Sequence, residues 1–464
     1  MVLVRAAESM VRRFRPAFSR QATFDWFVLV LFAMLLRLEV AGVTSFVRAL
    51  GLAPVEYHNL LHFFHSTATS ARELSRLWFE IALSDAPVVK LRGRIVALVD
   101  SIKVAKEGRK MPAVKWQHQE SENNTKPEFI RGHYWGGLSL LVRRWTQLFA
   151  LPIRFEIQDG IKTSPSEKGS LVDKMATMIG GTLSTFAYVI GDAYYLSRKF
   201  LVALVLKGHH FIGRARSTTV GYEPAKVPTR RRRGRPRKYG RKVFLRKLFV
   251  EPDLFVKADT RVYIDLKEVR YRTVDLFWSR LPFLVRFVAT IYANGARRIL
   301  VSTDTNLSPE EIIEAYSWRF KIEVSFKTMV RLIGAFAYHF WLMAMKPTRR
   351  KATNLHLHRA TPKFRKSVFR KIEAYERFVN IGAIAVGMLQ LLALKNATYI
   401  SKLFPIWLRT FPRSSYPTEL IVRSAIQHEL YGIPSEAMKT LLVTEILRTK
   451  RRARSAPNCL RIPA

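Results

Sequence analysis

Three acids in this sequence stand where a carboxylate needs a reason. Asp100 ends the run "GRIVALVD" (93–100), and Asp192 ends "FAYVIGD" (186–192). Both runs are short and largely aliphatic, the pattern of buried strands. Glu323 lies in "EAYSWRFKIEVSFK" (314–327), with Tyr316 seven residues before it, Arg319 four before and Lys327 four after. On a helix those four share a face. Ionised carboxylates brought to one point raise each other's pKa unless cations offset them. Two divalent ions would do so, and hard oxygen ligands select Mg2+ or Mn2+. An acid for the metal, with cations and a phenol to grip neighbouring phosphates, suits phosphoryl transfer.

Each acid also has a plainer reading. A strand-end aspartate often caps a turn or the next helix. Arg319, Glu323 and Lys327 also read as a solvated salt-bridge ladder, worth about 0.2–0.5 kcal/mol per pair. Asp304, in "RRILVSTDTNLS", ends a strand too, but it sits just ahead of Ser308 and belongs to the turn before a helix.

What separates Asp100 and Asp192 from Asp304 is the order of the elements that carry them. After "GRIVALVD" come strands in "HYWGGLSLLVR" (133–143) and "FALPIRFEIQ" (149–158), then a helix within 165–181. The strand ending in Asp192 follows, then an apolar helix to about 206 and the strand "HHFIGRAR" (209–216). The order β-β-β-α-β-α-β is that of an α/β, RNase H-like core, which needs one more helix. Residues 217–303 delay it, with strand-like alternation in "KVFLRKLFV", "TRVYIDLKEVRY" and "FLVRFVATIY". The missing helix then starts at Ser308, with Pro309 at its first position and Glu311 completing a capping box. Its apolar pattern continues to about 345. In such a sheet the carboxyl ends of adjacent strands are where functional groups converge.

Five regions result: a helical N-terminal DNA-binding domain (1–90), the first part of the catalytic core (91–216), a strand-rich insertion (217–303), the Glu-bearing helix (304–345) and a helical C-terminal region (346–464) for DNA contact or dimerisation. Residues 226–247 carry 12 Lys or Arg and no acid, and residues 346–371 carry 10 and none. The first of these runs reads as a solvated loop too charged to bury.

Composition narrows the class. The 464 residues hold 78 Lys and Arg against 35 Asp and Glu, a formal charge of +43, which points to a polyanion and above all to nucleic acid. A hydrophobic share of 48% excludes a disordered basic tail. The apolar run 26–36 is too short to span a bilayer, and 378–395 is broken by Asn380 and Gln390, so both read as buried helices. The N-terminus is Arg-rich, loosely like a transit peptide, and lacks the apolar block of a secretory signal. Cys459 is the lone cysteine, so no internal disulfide or cysteine zinc site forms, as expected of a reducing compartment. Histidines 118, 133, 209, 210, 339, 356 and 358 lack tight ligand spacing and read as surface or core residues. Trp318 and Trp341 are either core or platforms for an unpaired base.

The sequence resembles the DDE transposases of bacterial insertion sequences. "YSWRFKIEVSFK" is similar to their Tyr-x2-Arg-x3-Glu signature. The likeness extends to "DSIKVAKEGRKMPAVKWQHQESENNTKPEFIRGHYWGG" at Asp100, "GDAYYLSRKF" at Asp192, and "FIGRARSTTVGYEP" followed by "RRGRPRKYGRK". It covers residues 90 to 345. The resemblance implies an RNase H-like fold with a strand-rich insertion, and Asp100, Asp192 and Glu323 as ligands of two Mg2+ ions, with Mn2+ a substitute. It implies that Tyr316 and Arg319 grip phosphate, with Lys327 and Arg331 beside them. The fuller signature has Lys seven residues after the Glu, where this chain has Val330. "RGRPRK" (233–238) resembles a minor-groove hook, placing Arg233, Arg235, Arg237 and Lys238 on A·T-rich DNA. The same residues also fit an arginine-rich loop on phosphates.

The expected partner is double-stranded DNA, both terminal inverted repeats and target, bound by a homodimer on paired ends. The expected location is the cytoplasm at the nucleoid, with no membrane. Two rivals remain: another RNase H-like nuclease such as a junction resolvase, and a catalytically inactive DNA-binding protein.

Overall fold

The computed structural model describes the chain except at residues 120–126, 145–146, 166–168, 226–236, 263–264, 405–415, 433–437 and 456–464. Helices come first: α1 (Val2–Arg12), α2 (Gln21–Leu36), α3 (Val43–Ala49), α4 (Glu56–Phe64) and α5 (Ala71–Asp85). The apolar run 26–36 lies within α2 and is buried throughout except at Leu36.

The central sheet begins with β1 (Arg94–Ala105), β2 (Phe129–Arg144) and β3 (Gln147–Ile157), an antiparallel meander. Helix α6 (Leu171–Gly180) leads to β4 (Ala187–Ile190), which returns parallel to β1. Helix α7 (Arg198–Leu206) leads to β5 (His210–Ala215), parallel to β4. The spatial order β3-β2-β1-β4-β5, with that mix of directions, is the RNase H-like arrangement.

The segment between β5 and the closing helix extends this same sheet. Its strands are β6 (Val220–Pro224), β7 (Tyr239–Phe244), β8 (Val256–Val262), β9 (Asp265–Trp278), β10 (Leu284–Tyr292) and β11 (Arg297–Ser302). β11 pairs antiparallel with β5, and β10, β9, β6 and β7 continue outward. "KVFLRKLFV" is a strand only in its first residues; from Leu245 to Val250 it turns as a 3-10 helix that buries Leu245 and Leu248.

The delayed helix comes in two pieces, α8 (Pro309–Ser317) and α9 (Lys321–Thr328), joined by a 3-10 turn. The Ser308 hydroxyl accepts from the Glu311 N–H at 3.2 Å, and the Glu311 carboxylate accepts from the Ser308 N–H at 2.7 Å. The apolar pattern suggests helix to about 345, but the helix ends in a π turn over Met329–Ile333. Gly334 stops it with a left-handed φ of 62°. A Cβ there would also stand 2.3 Å from Val40 Cγ1. The buried Arg37, just past α2, donates to the carbonyls of Ile333 and Gly334, and Arg423 donates to the Leu332 carbonyl at 2.9 Å. Two guanidinium groups thus satisfy the helix's last carbonyls and oppose its negative end.

Three further helices follow: α10 (Pro362–Leu403), α11 (Glu419–Tyr431) and α12 (Leu442–Ser455). α10 is long and apolar enough to cross a membrane, but 94% of its apolar window is buried inside the protein. It covers the β3 edge with side chains in place of a strand. Asn380 Oδ1 accepts from the Phe155 N–H at 2.9 Å, and Asn380 Nδ2 donates to the Phe155 carbonyl at 2.8 Å. The Glu376 carboxylate accepts from the Ile157 N–H at 3.0 Å. An exposed edge that could pair with other chains is thereby closed.

Candidate active site

β1 and β4 pair in parallel over Ile95–Leu98 and Ala187–Ile190; Asp100 lies two residues past that stretch, midway along β1, which runs on to Ala105 beside β2, and Asp192 lies two residues past β4. Asp100 lies opposite Gly137 of β2. A Cβ on Gly137 would come within 2.7 Å of Phe155 Cε1 and 3.0 Å of Phe326 Cε1. The bare backbone there lets Phe326, and α9 with it, lie against the sheet beside Asp100. α9 carries Glu323 on the same approach.

The three acids line one cleft of about 560 Å³ together with Arg319, Phe326, Tyr134 and Tyr194. Asp100 Oδ1 accepts from the Ser101 N–H at 2.8 Å and Oδ2 from Arg319 Nη1 at 2.9 Å. Arg319 Nη2 reaches Glu323 Oε1 at 2.8 Å. Asp192 accepts from the Tyr194 N–H at 2.8 Å and so caps the short turn Ala193–Tyr195. Burial pushes the Asp100 carboxyl up to about 6, against the pull of Arg319 and the Ser101 N–H, and the charges of Asp192 and Glu323 push the same way. Burial draws Arg319 down, yet Asp100, Tyr316, Glu323 and Asp192 together hold it above the usual range. The three acids therefore feel one another across the cleft.

Both plain readings are literally present here: Asp192 does cap a turn, and Arg319 does pair with Glu323. Neither uses up the site. Arg319 also reaches Asp100 on another strand, 219 residues away in sequence, which a local ladder does not explain. Among the described residues, no three His, Cys, Asp or Glu side chains are arranged to hold a metal ion as they stand. The donor set is still suited to one: three hard carboxylates, one of them destabilised by burial and further by the other two, meet in an open cleft.

The other sequence candidates spread out along the same helix and beyond. Tyr316 is nearly buried, and burial raises its phenol while Arg319 opposes. Lys327, Val330 and Arg331 are exposed. In an unbroken α-helix Val330 would return to Glu323's face, with Arg331 about 80° away. The wider π turn spaces its residues about 80° apart rather than 100° and swings Arg331 back toward that face. Trp318 is core, only 3% exposed, whereas Trp341 is 60% exposed. Asp304 accepts from the Tyr188 hydroxyl at 2.5 Å and from the Asn306 N–H at 2.9 Å, a turn outside the cleft. Arg237 and Lys238 flank β7 in the insertion, where Lys238 lies over Phe277 at 5.1 Å. Arg233 and Arg235 lie outside the described residues.

Sequence reasoning missed the opposite wall. The short strand Lys115–His118 pairs with the start of β2 and brings Lys115, Gln117, His118 and Gln119 to the cleft. Lys115 pairs with Asp159 at 2.5 Å, and Lys103 Nζ donates to the His118 carbonyl at 2.8 Å. Four residues without strong periodicity gave no strand signal, and spacing alone could not bring His118 to the acids.

No curated protein matches the chain. Among solved structures it is similar to a piggyBac transposase in a synaptic complex with hairpin DNA, at 12% identity and a TM-score of 0.34, over 96% of this chain and 81% of that one. At that distance the likeness adds nothing to the topology above. A family match does. The model of the DDE superfamily endonucleases matches residues 13–273, a stretch that holds both strand-end aspartates and stops short of Glu323. That is more than half of the sequence, and the chain belongs to the DDE superfamily endonucleases.

Proposed function

We propose that this protein is a DNA transposase, cutting DNA at the ends of its element and joining the freed 3′-OH to target DNA. The observation that carries this reading is the meeting of Asp100, Asp192 and Glu323 in one cleft just past the parallel pairing of β1 and β4. Family membership supports the nuclease half of it.

Asp100, Asp192 and Glu323 would hold two Mg2+ ions, or Mn2+ in their place. When bound, such ions supply Lewis-acid activation of the phosphodiester and offset charge on the entering and leaving oxygens. The chain's own side chains do the rest. Arg319, in the cleft, places a forked cation where a phosphate beside the cut would lie, and Tyr316 backs it from one turn earlier. Lys327 and Arg331, exposed further along the same helix, hold the DNA flank. The basic stretch at 226–247, with Arg233, Arg235, Arg237 and Lys238, and the stretch at 346–371 bind backbone phosphates at longer range. A homodimer on paired terminal repeats, in the cytoplasm at the nucleoid, fits this use.

A plasmid assay with donor ends tests the reading. Metal-dependent cleavage with strand-transfer products supports a transposase. Cleavage without joining gives the junction-resolvase class of nuclease instead. Binding with no metal-dependent nicking by the wild type leaves an inactive DNA-binding protein.

A further inference from the structure

Arg319 holds an unusual place for a residue read as a phosphate grip. Its two terminal nitrogens are both committed inward, Nη1 to Asp100 at 2.9 Å and Nη2 to Glu323 at 2.8 Å. Its side chain is 22% exposed, that of Asp100 17% and that of Glu323 42%. One cation thus bridges a carboxylate from β1 and one from α9. As long as it does, both oxygens of Asp100 are engaged, one by Arg319 and one by the Ser101 N–H.

The geometry points to Arg319 as an internal stand-in for the divalent cation, a latch that must give up Asp100 and Glu323 before an ion can bind between them, and that a phosphate of bound DNA draws away. This rests on the reading of the three acids as the metal site. Coulomb's law sets the direction. A guanidinium and a divalent ion competing for one carboxylate pair repel each other, so ion entry requires the guanidinium to leave or tilt outward. Leaving two charge-assisted bonds for water is unfavourable, whereas leaving them for a phosphate forms equivalent bonds. Metal and DNA therefore assist each other's binding, and the assistance is reciprocal. A chain of charge +43 binds DNA of any sequence, and a latch of this kind keeps the cutting centre unloaded until phosphate sits in the cleft.

The test measures Mn2+ affinity of the full chain without DNA, by electron paramagnetic resonance. Arg319→Ala should bind Mn2+ more tightly than wild type, on the order of 10-fold. Arg319→Lys should fall between, because one ammonium cannot span both carboxylates. Lys103→Ala removes a cation from the same cleft without touching either acid and should match wild type. Equal gains in Lys103→Ala and Arg319→Ala would reduce the effect to general charge and overturn the latch, as would no gain in either Arg319 variant. Unfolding of Arg319→Ala leaves Arg319→Lys to decide. A second arm follows a labelled 25-base-pair duplex by anisotropy at constant ionic strength, with and without Ca2+. Ca2+ should tighten wild-type binding several-fold and Arg319→Ala binding less, because only the direct attraction of ion and phosphate remains there; a wild type indifferent to Ca2+, or a variant tightened as much as wild type, overturns the exchange. Asp100→Asn keeps the two ideas apart. If it binds Mn2+ as wild type does, the metal-site reading fails. If it loses Mn2+ while the Arg319 variants change nothing, only the latch fails.

Discussion

Two clusters of acids in this molecule have nearly the same ingredients and opposite settings. In the cleft, Asp100, Asp192 and Glu323 gather around Arg319. Where α10 lies on β3, Glu156, Glu373 and Glu376 gather near Arg154, which pairs with Glu156. Both clusters carry a perturbed carboxyl. Burial raises Asp100 to about 6, and burial raises Glu376 too, with Glu156 and Glu373 adding to it. The difference is what the carboxylates touch. Glu376 accepts the Ile157 N–H and Glu373 the Ala71 N–H at 2.6 Å, so both tie backbone to α10. In the cleft Asp100 and Glu323 are bridged by one side chain, Arg319, and face an open cleft. Perturbed acids are common to structural and functional clusters. A side-chain partner shared across an open cleft, in place of backbone N–H groups, sets the second kind apart.

The largest effect should separate the clusters outright. Asp100→Asn, Asp192→Asn and Glu323→Gln should each reduce metal-dependent nicking to background while DNA binding persists, and Glu376→Gln should nick as wild type does. Asp304→Asn should also be active. If it is dead and Asp192→Asn is not, the second acid has been misassigned. Next in size is Arg319→Ala, expected to fold and to lose on the order of 10²-fold in cleavage or joining, the scale for one positioned charge at a reacting centre. Tyr316→Phe removes only a neutral hydroxyl and should lose less. A third comparison uses the π turn. Arg331→Ala should weaken joining more than Val330→Lys improves it, because the wide turn has already brought a cation to that side. A large gain from Val330→Lys with no loss from Arg331→Ala would mean the turn does not re-aim Arg331.

The contrast also explains what the sequence could say. Asp100 and Asp192 were singled out because the order of runs matched one known sheet, not because of their local sequence, and the structure brings both to one cleft. The RNase H-like strand order was readable because the paired centre of the sheet, Ile95–Val99 in β1 and all of β4, is buried on both faces and written as continuous apolar stretches. Glu156 and Glu376 gave no such signal. One sits next to the end of β3 and the other inside a long helix, and only packing of α10 on β3 brings them together. The wall at Lys115–His118 was hidden by its brevity. The end of the Glu-bearing helix was overestimated because the apolar pattern runs on past Gly334, where a left-handed residue and Arg37 stop the helix instead. Local pattern reports burial well and long-range pairing poorly.

The smallest expected effect concerns the structural cluster alone. Glu376 has a folded pKa raised above its ordinary value of 4.5, first by burial and then by Glu156 and Glu373. For a carboxyl raised in this way, the unfolded chain gives up its proton first as pH climbs. Stability from the protonated acid is whole below about pH 4.5 and drains away above it, until the folded group also ionises. Glu376→Gln keeps an oxygen for the Ile157 N–H and cannot ionise. Its melting temperature should match wild type near pH 4 and exceed it progressively toward pH 8. Partial solvent access and the nearby Arg154 limit the effect. A gap of constant size across that pH range would mean Glu376 is ionised in the fold and matched by its cations. The two clusters would then differ in position but not in charge state.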